Sequence, residues 1–73
     1  MEDRIVIDPA ICHGKPVIRG TRVPVSIVVG SVAGGMTFEE IERDYEIDRE
    51  DIRAALRYAG ALVDQEQHHP LPQ

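Results

Sequence analysis

Met36-Thr37-Phe38-Glu39-Glu40-Ile41 and Ile47-Asp48-Arg49-Glu50-Asp51-Ile52 carry the same helix-opening signature twice. In each, a short polar residue is followed three positions later by a carboxylate (Thr37 and Glu40, Asp48 and Asp51), the spacing at which cap and third helical residue satisfy each other's backbone N–H groups. In each, an apolar pair brackets the cap (Met36 and Ile41, Ile47 and Ile52), as in a hydrophobic staple. The two signatures predict one helix from Phe38 to about Asp44 and a longer one from Arg49 to about Glu66, joined by a short turn.

On the longer helix Ile52, Ala55, Leu56, Ala59, Leu62 and Val63 recur at spacings of three and four. That period puts them on one stripe, which is expected to face the other helices. Upstream, Gly34-Gly35 permits a left-handed stop, and Pro24 suits a helix start because its missing N–H has no partner there in any case. A first helix is therefore expected over Val25 to Ala33. Val25, Ile27, Val28, Val29, Val32 and Ala33 run nearly all round it and no charge interrupts them, so this segment must be covered on several sides.

The N-terminal third reads as β structure. Arg4-Ile5-Val6-Ile7 is β-branched and is closed by Asp8-Pro9. Lys15-Pro16-Val17-Ile18 and Thr21-Arg22-Val23 are extended runs around Arg19-Gly20, where glycine can supply a positive-φ turn position. The resulting fold class is α+β and mainly helical: residues 1–24 a β-element of two or three short strands, residues 25–67 three helices, the last two in a helix-turn-helix layout, and residues 68–73 a tail.

Seventy-three residues make one thin-cored domain, and an extended N-terminus with a charge-free valine-rich helix predicts a homodimer. The single Cys12 points to a reducing cytoplasm, and no apolar run approaches the roughly 20 residues of a membrane span. The start, Met1-Glu2-Asp3-Arg4, has no basic leader and is read as mature protein. The net charge of −5 is uneven: residues 1–24 carry four basic and three acidic side chains, residues 36–73 four basic and ten acidic. Any contact with nucleic acid must therefore be local.

Two cationic groups stand out. Arg49, Arg53 and Arg57 lie four residues apart, a guanidinium stripe suited to phosphates and guanine edges; with Thr37 at the preceding helix start they are the DNA-contact candidates. Asp48, Glu50 and Asp51 argue the other way, for a solvated salt-bridge face in which Glu50 pairs with Arg53. Lys15, Arg19 and Arg22 on the hairpin either grip phosphate or carboxylates of a partner or merely keep an edge strand soluble.

Catalytic chemistry finds no footing. Cys12-His13 lacks further ligands for zinc and a residue placed to orient the histidine, His68-His69 lies in the tail, and Gly14-Lys15 lacks the other parts of a phosphate loop. With no paired carboxylates in an apolar pocket, no enzyme, metal or cofactor is expected.

The string Ile11-Cys12-His13-Gly14-Lys15-Pro16-Val17-Ile18-Arg19-Gly20-Thr21-Arg22-Val23-Pro24-Val25, with Ile7-Asp8-Pro9 before it, closely resembles the signature of the bacterial domain-of-unknown-function family 433. The match continues through Gly34-Gly35-Met36-Thr37, Glu39-Glu40-Ile41, Asp44-Tyr45 and Asp51-Ile52-Arg53-Ala54-Ala55-Leu56 to Tyr58-Ala59. One departure is His13, where the family often has glycine. The resemblance implies a homeodomain-like or winged helix-turn-helix fold and an antitoxin of the VapB kind, which neutralises a PIN-like ribonuclease toxin and represses its own operon. Such a nuclease site clusters carboxylates, so the resemblance makes Arg19 or Arg22 the blocking group. A stand-alone DNA-binding regulator and an adaptor that binds neither remain open beside it.

Overall fold

In the computed structural model, which describes residues 2–65, the chain runs β1 (Ile5–Val6), β2 (Val17–Ile18), α1 (Val25–Ala33), α2 (Phe38–Tyr45) and α3 (Arg49–Gln65). The mainly helical α+β class read from the sequence is the one observed. The expected end of the last helix at Glu66 and the tail lie outside the described residues.

Both capping boxes form. The Thr37 hydroxyl accepts the Glu40 N–H at 3.1 Å while the Glu40 carboxylate accepts the Thr37 N–H at 2.8 Å. One turn later Asp48 and Asp51 exchange the equivalent bonds at 2.8 and 3.1 Å. Between them α2 ends on Glu46, which takes the left-handed conformation at φ 57° without glycine's help. Met36 and Tyr45 pack on the cluster that contains Ile41, Ile47 and Ile52, so the capped ends are also pinned from inside.

The core gathers Ile5, Ile18, Val25, Val28, Ile41, Ile47, Ile52, Ala54 and Ala55. Residues Ala54 and Ala55 are fully buried, which brings α1 close against α3, the largest helix–helix contact of the molecule. Among the described residues no polar or charged side chain is buried. The Ser31 hydroxyl bridges α1 to α2 by donating to the Tyr45 hydroxyl at 3.4 Å.

Two expectations about burial need correcting. The apolar stripe of α3 is covered only through its first half: Leu62 and Val63 are 48% and 54% exposed. The reason is length, since 17 residues of helix extend about 25 Å whereas the nine residues of α1 reach about 13 Å. Likewise α1 is not enclosed on several sides; Val25 and Val28 are buried, but Ile27 on its outer face is 43% exposed.

The β-element also differs in detail. β1 pairs antiparallel with β2, Ile5 opposite Ile18 and Val6 opposite Val17. The third extended run, Thr21 to Val23, is not a strand; a single bridge joins Val17 to Pro24. Thr21 diverts the ladder, its hydroxyl donating to the Ile18 carbonyl at 2.8 Å and accepting the Val23 N–H at 2.9 Å. Side-chain bonding of this kind competes with strand pairing. The turn itself is where the sequence put it, with Gly20 at φ 78°.

Candidate functional site

The hairpin tip is built by three bonds. The Thr21 N–H closes the turn on the Ile18 carbonyl at 3.0 Å, the Ile18 N–H donates to the Val23 carbonyl at 2.9 Å, and the Arg19 N–H anchors the tip to β1 through the Arg4 carbonyl at 2.7 Å. The Thr21 to Ile18 bond puts Arg19 and Gly20 at the two central positions of the turn, with Arg22 just beyond its end. Both are exposed, as is Lys15 in the preceding loop. Among the described residues none of the three has a carboxylate within ion-pairing distance.

That distinguishes them from the other five arginines. Arg4 contacts Asp48 at 3.2 Å and Asp51 at 2.9 Å. Arg43 lies 3.7 Å from Asp44. Arg49 reaches Glu39 at 3.1 Å and Glu42 at 3.7 Å and covers the Phe38 ring at 5.3 Å. Arg53 pairs with Glu50 at 2.8 Å, as the sequence spacing suggested, and Arg57 holds Glu2 through two bonds of 2.8 and 3.2 Å. The DNA-contact candidates Arg49, Arg53 and Arg57 thus share a helix but are committed to four different carboxylates, and the Thr37 oxygen is engaged in its cap.

The electrostatics follow these contacts. The Arg57 guanidinium, by hydrogen bonding to Glu2, holds that carboxyl below the usual range. The Asp51 N–H first, and Arg4 after it, do the same for Asp48. Glu39 is lowered by a backbone N–H and then by Arg49. Glu39 and Asp48 are exposed and Glu2 is half-buried beside an exposed Arg57, so the pairs orient side chains more than they stabilise the fold.

The loop before β2 holds a feature the sequence did not announce. Residues Cys12, His13 and Gly14 are consecutively left-handed, at φ 50°, 58° and 81°. The Cys12 thiol donates to the Arg22 carbonyl at 3.4 Å, tying this loop to the hairpin. Among the described residues no group of three or more His, Cys, Asp or Glu side chains is gathered that could hold a metal.

Two open grooves flank the end of α3. One of about 840 Å³ runs between β1 and α3, lined by Ile5, Val6, Ile7, Tyr58, Ala61 and Leu62 among others. The second, about 400 Å³, lies between α1 and α3 and shares Tyr58 and Leu62. The sequence reading singled out neither Ile7, which is 60% exposed, nor Arg4, whose partners lie more than forty residues away. No local signal exists for contacts of that span. No described helix is long and apolar enough to cross a membrane.

Residues 5–59 match the family model described as "Protein of unknown function (DUF433)", and the chain belongs to that family. It is 47% identical over 58 residues to the uncharacterized protein y4eO of Sinorhizobium fredii, covering 78% of this chain and 26% of that one. It is 36% identical over 52 residues to a Mycobacterium tuberculosis protein named "Putative antitoxin VapB45", covering 71% and 22%. The chain therefore spans about a quarter of the length of these curated relatives. The crystal structure of a DUF433 member from Anabaena variabilis superposes with a TM-score of 0.78 at 32% identity, over 88% of this chain and 64% of that one. That of Rv2018 from M. tuberculosis gives 0.66 at 36% identity, over 71% and 24%.

Proposed function

We propose that this DUF433 chain is a binding protein of antitoxin type, not an enzyme, and that in a reducing cytoplasm it neutralises a PIN-like ribonuclease by presenting Lys15, Arg19 and Arg22 to the acidic site. The observation that carries the reading is the segregation of cations. The five arginines elsewhere each have a carboxylate, while Lys15, Arg19 and Arg22 have none among the described residues, and two of them lie at one tight turn. Guanidinium groups left unpaired so near each other gain from an external cluster of carboxylates, which accepts their N–H groups in charge-assisted bonds. The name of the M. tuberculosis relative is in keeping with this role. Arg19, at the tip, is the blocking group and Arg22 its support.

The test is affinity capture of the tagged chain from its host. Wild type is expected to bring down a carboxylate-site ribonuclease in stoichiometric amount, and the double reversal Arg19→Glu with Arg22→Glu to lose it. A nuclease retained by the double variant removes the hairpin from the mechanism.

A second reading, operator binding, draws on the α2–turn–α3 layout, which resembles a helix-turn-helix whose second helix enters the major groove. It would use Arg49, Arg53 and Arg57, with Thr37 at the start of α2. Duplex binding then has to exchange four intramolecular ion pairs for phosphates beside Asp48, Glu50 and Asp51. Affinity for promoter DNA that falls steeply with salt and vanishes on substitution of Arg49 and Arg53 supports it.

A further inference from the structure

β1 is the outer strand of a two-stranded sheet, and only one of its edges is occupied. The bond from the Arg19 N–H to the Arg4 carbonyl fixes which groups face β2: those of Arg4 and Val6 point inward, so those of Ile5 and Ile7 point away. Among the described residues Ile7 has no backbone hydrogen-bond partner, and the Ile5 N–H has only a long turn bond of 3.3 Å to the Glu2 carbonyl. Its side chain is 60% exposed beside the groove formed with Tyr58 and Leu62. An open strand edge abutting an apolar trough is a template for another strand.

The occupant is written in the strand itself. Arg4-Ile5-Val6-Ile7-Asp8 places a cation at one end, a carboxylate at the other and three β-branched apolar residues between. Laid antiparallel on a copy of itself about Val6, it sets Arg4 opposite the second copy's Asp8 twice over and Ile5 opposite the second copy's Ile7. Asp8 has no cation partner in the described chain; its carboxylate accepts only the Ala10 N–H at 2.9 Å. Arg4, although paired, keeps its side chain 44% exposed. Pro9 ends the register by withholding a donor.

We propose that the chain forms a two-fold homodimer by edge-to-edge pairing of β1 with the β1 of a second copy. Each Ile5 exchanges both backbone bonds with the second copy's Ile7, and Val6 faces its own counterpart across the axis as a non-hydrogen-bonded pair. The second copy's Ile7 then lies on the face of Ile5, over Tyr58 and Leu62, which covers apolar surface that the short partner helices leave bare. A two-stranded ribbon of this size is not stable by itself, and pairing doubles its strands. The proposal does not rest on the antitoxin reading.

Sedimentation equilibrium of the full chain at tens of micromolar is expected to give twice the 8.1 kDa monomer mass. Ile7→Lys, at an exposed position, is expected to keep the monomer's circular dichroism and raise the dimer dissociation constant at least about tenfold, since the lysine must be desolvated or break the pairing. In a Cys12→Ser background, Val6→Cys is expected to oxidise to a covalent dimer, because the Cα atoms of a non-hydrogen-bonded pair lie about 4.5 Å apart, within the span of a disulfide. Ile27→Cys in the same background should not. A monomer mass for wild type overturns the proposal. So does a dimer that survives Ile7→Lys and cross-links through Ile27, which would put the outer face of α1 in the interface.

Discussion

The N-terminal hairpin and the α2–α3 unit hold the same kinds of side chain and use them oppositely. In α2–α3 each arginine is answered by a carboxylate, each helix start by a reciprocal cap, and the buried isoleucines Ile41, Ile47 and Ile52 close the space between. In the hairpin the cations face water unopposed, the second arm dissolves into a Thr21-mediated turn, and β1 leaves an edge open. One region is self-satisfied and sets the fold. The other is left incomplete, which is how a surface made for something outside the chain differs from one made for itself.

The contrast can be broken most forcefully in the core. Ile52→Ala removes a fully buried side chain where α3 meets its neighbours and is expected to cost about 2–5 kcal/mol in urea unfolding. Arg19→Ala with Arg22→Ala should change it by no more than about 0.5 kcal/mol. Comparable losses in both would mean that the hairpin cations are structural after all. Thr37→Ala comes next, at about 0.5–2 kcal/mol, by removing the acceptor of the Glu40 N–H. A loss near zero would show that the staple residues alone hold the start of α2.

The smallest effect sharpens the comparison along the pH axis. Glu2, Glu39 and Asp48 have folded-state values lowered by their hydrogen-bond partners. A lowered carboxylate stabilises the fold above its unfolded value and loses that contribution as pH falls through its folded value, below the ordinary carboxylate range. Two of these groups hold the N-terminal segment, Glu2 to Arg57 and Asp48 to Arg4. Protection from amide exchange near Val6, taken relative to the intrinsic rate at each pH, is therefore expected to fall on acidification below the ordinary carboxylate range before that of Ile41 or Ile52 does. Simultaneous loss of protection would make the ion pairs irrelevant to how the halves are joined.

What the sequence disclosed follows from range. The two caps, the bounds of α1 and the Arg19-Gly20 turn depend on residues within five positions of each other and were legible. The exposure of Leu62 and Val63 was not, because periodicity reports which face a residue occupies and not whether a neighbour reaches that far along the helix. Nor was the diversion of Arg57 to Glu2, fifty-five residues away, which turns the end of the guanidinium stripe into a clasp on the N-terminal segment. The hairpin cations were visible as residues, but their lack of carboxylates is a property of three-dimensional placement.

The left-handed run at Cys12, His13 and Gly14 has a consequence for how the protein tolerates change. Two residues with side chains occupy a conformation that costs an L-amino acid about 1–2 kcal/mol, more than the roughly 0.5–1 kcal/mol that glycine loses through its freedom when unfolded. His13 is exposed and its side chain has no bond within the described structure, so His13→Gly should raise the melting temperature. The loop is thus a store of latent robustness, one substitution away, against which a destabilising mutation elsewhere in the chain could be accepted.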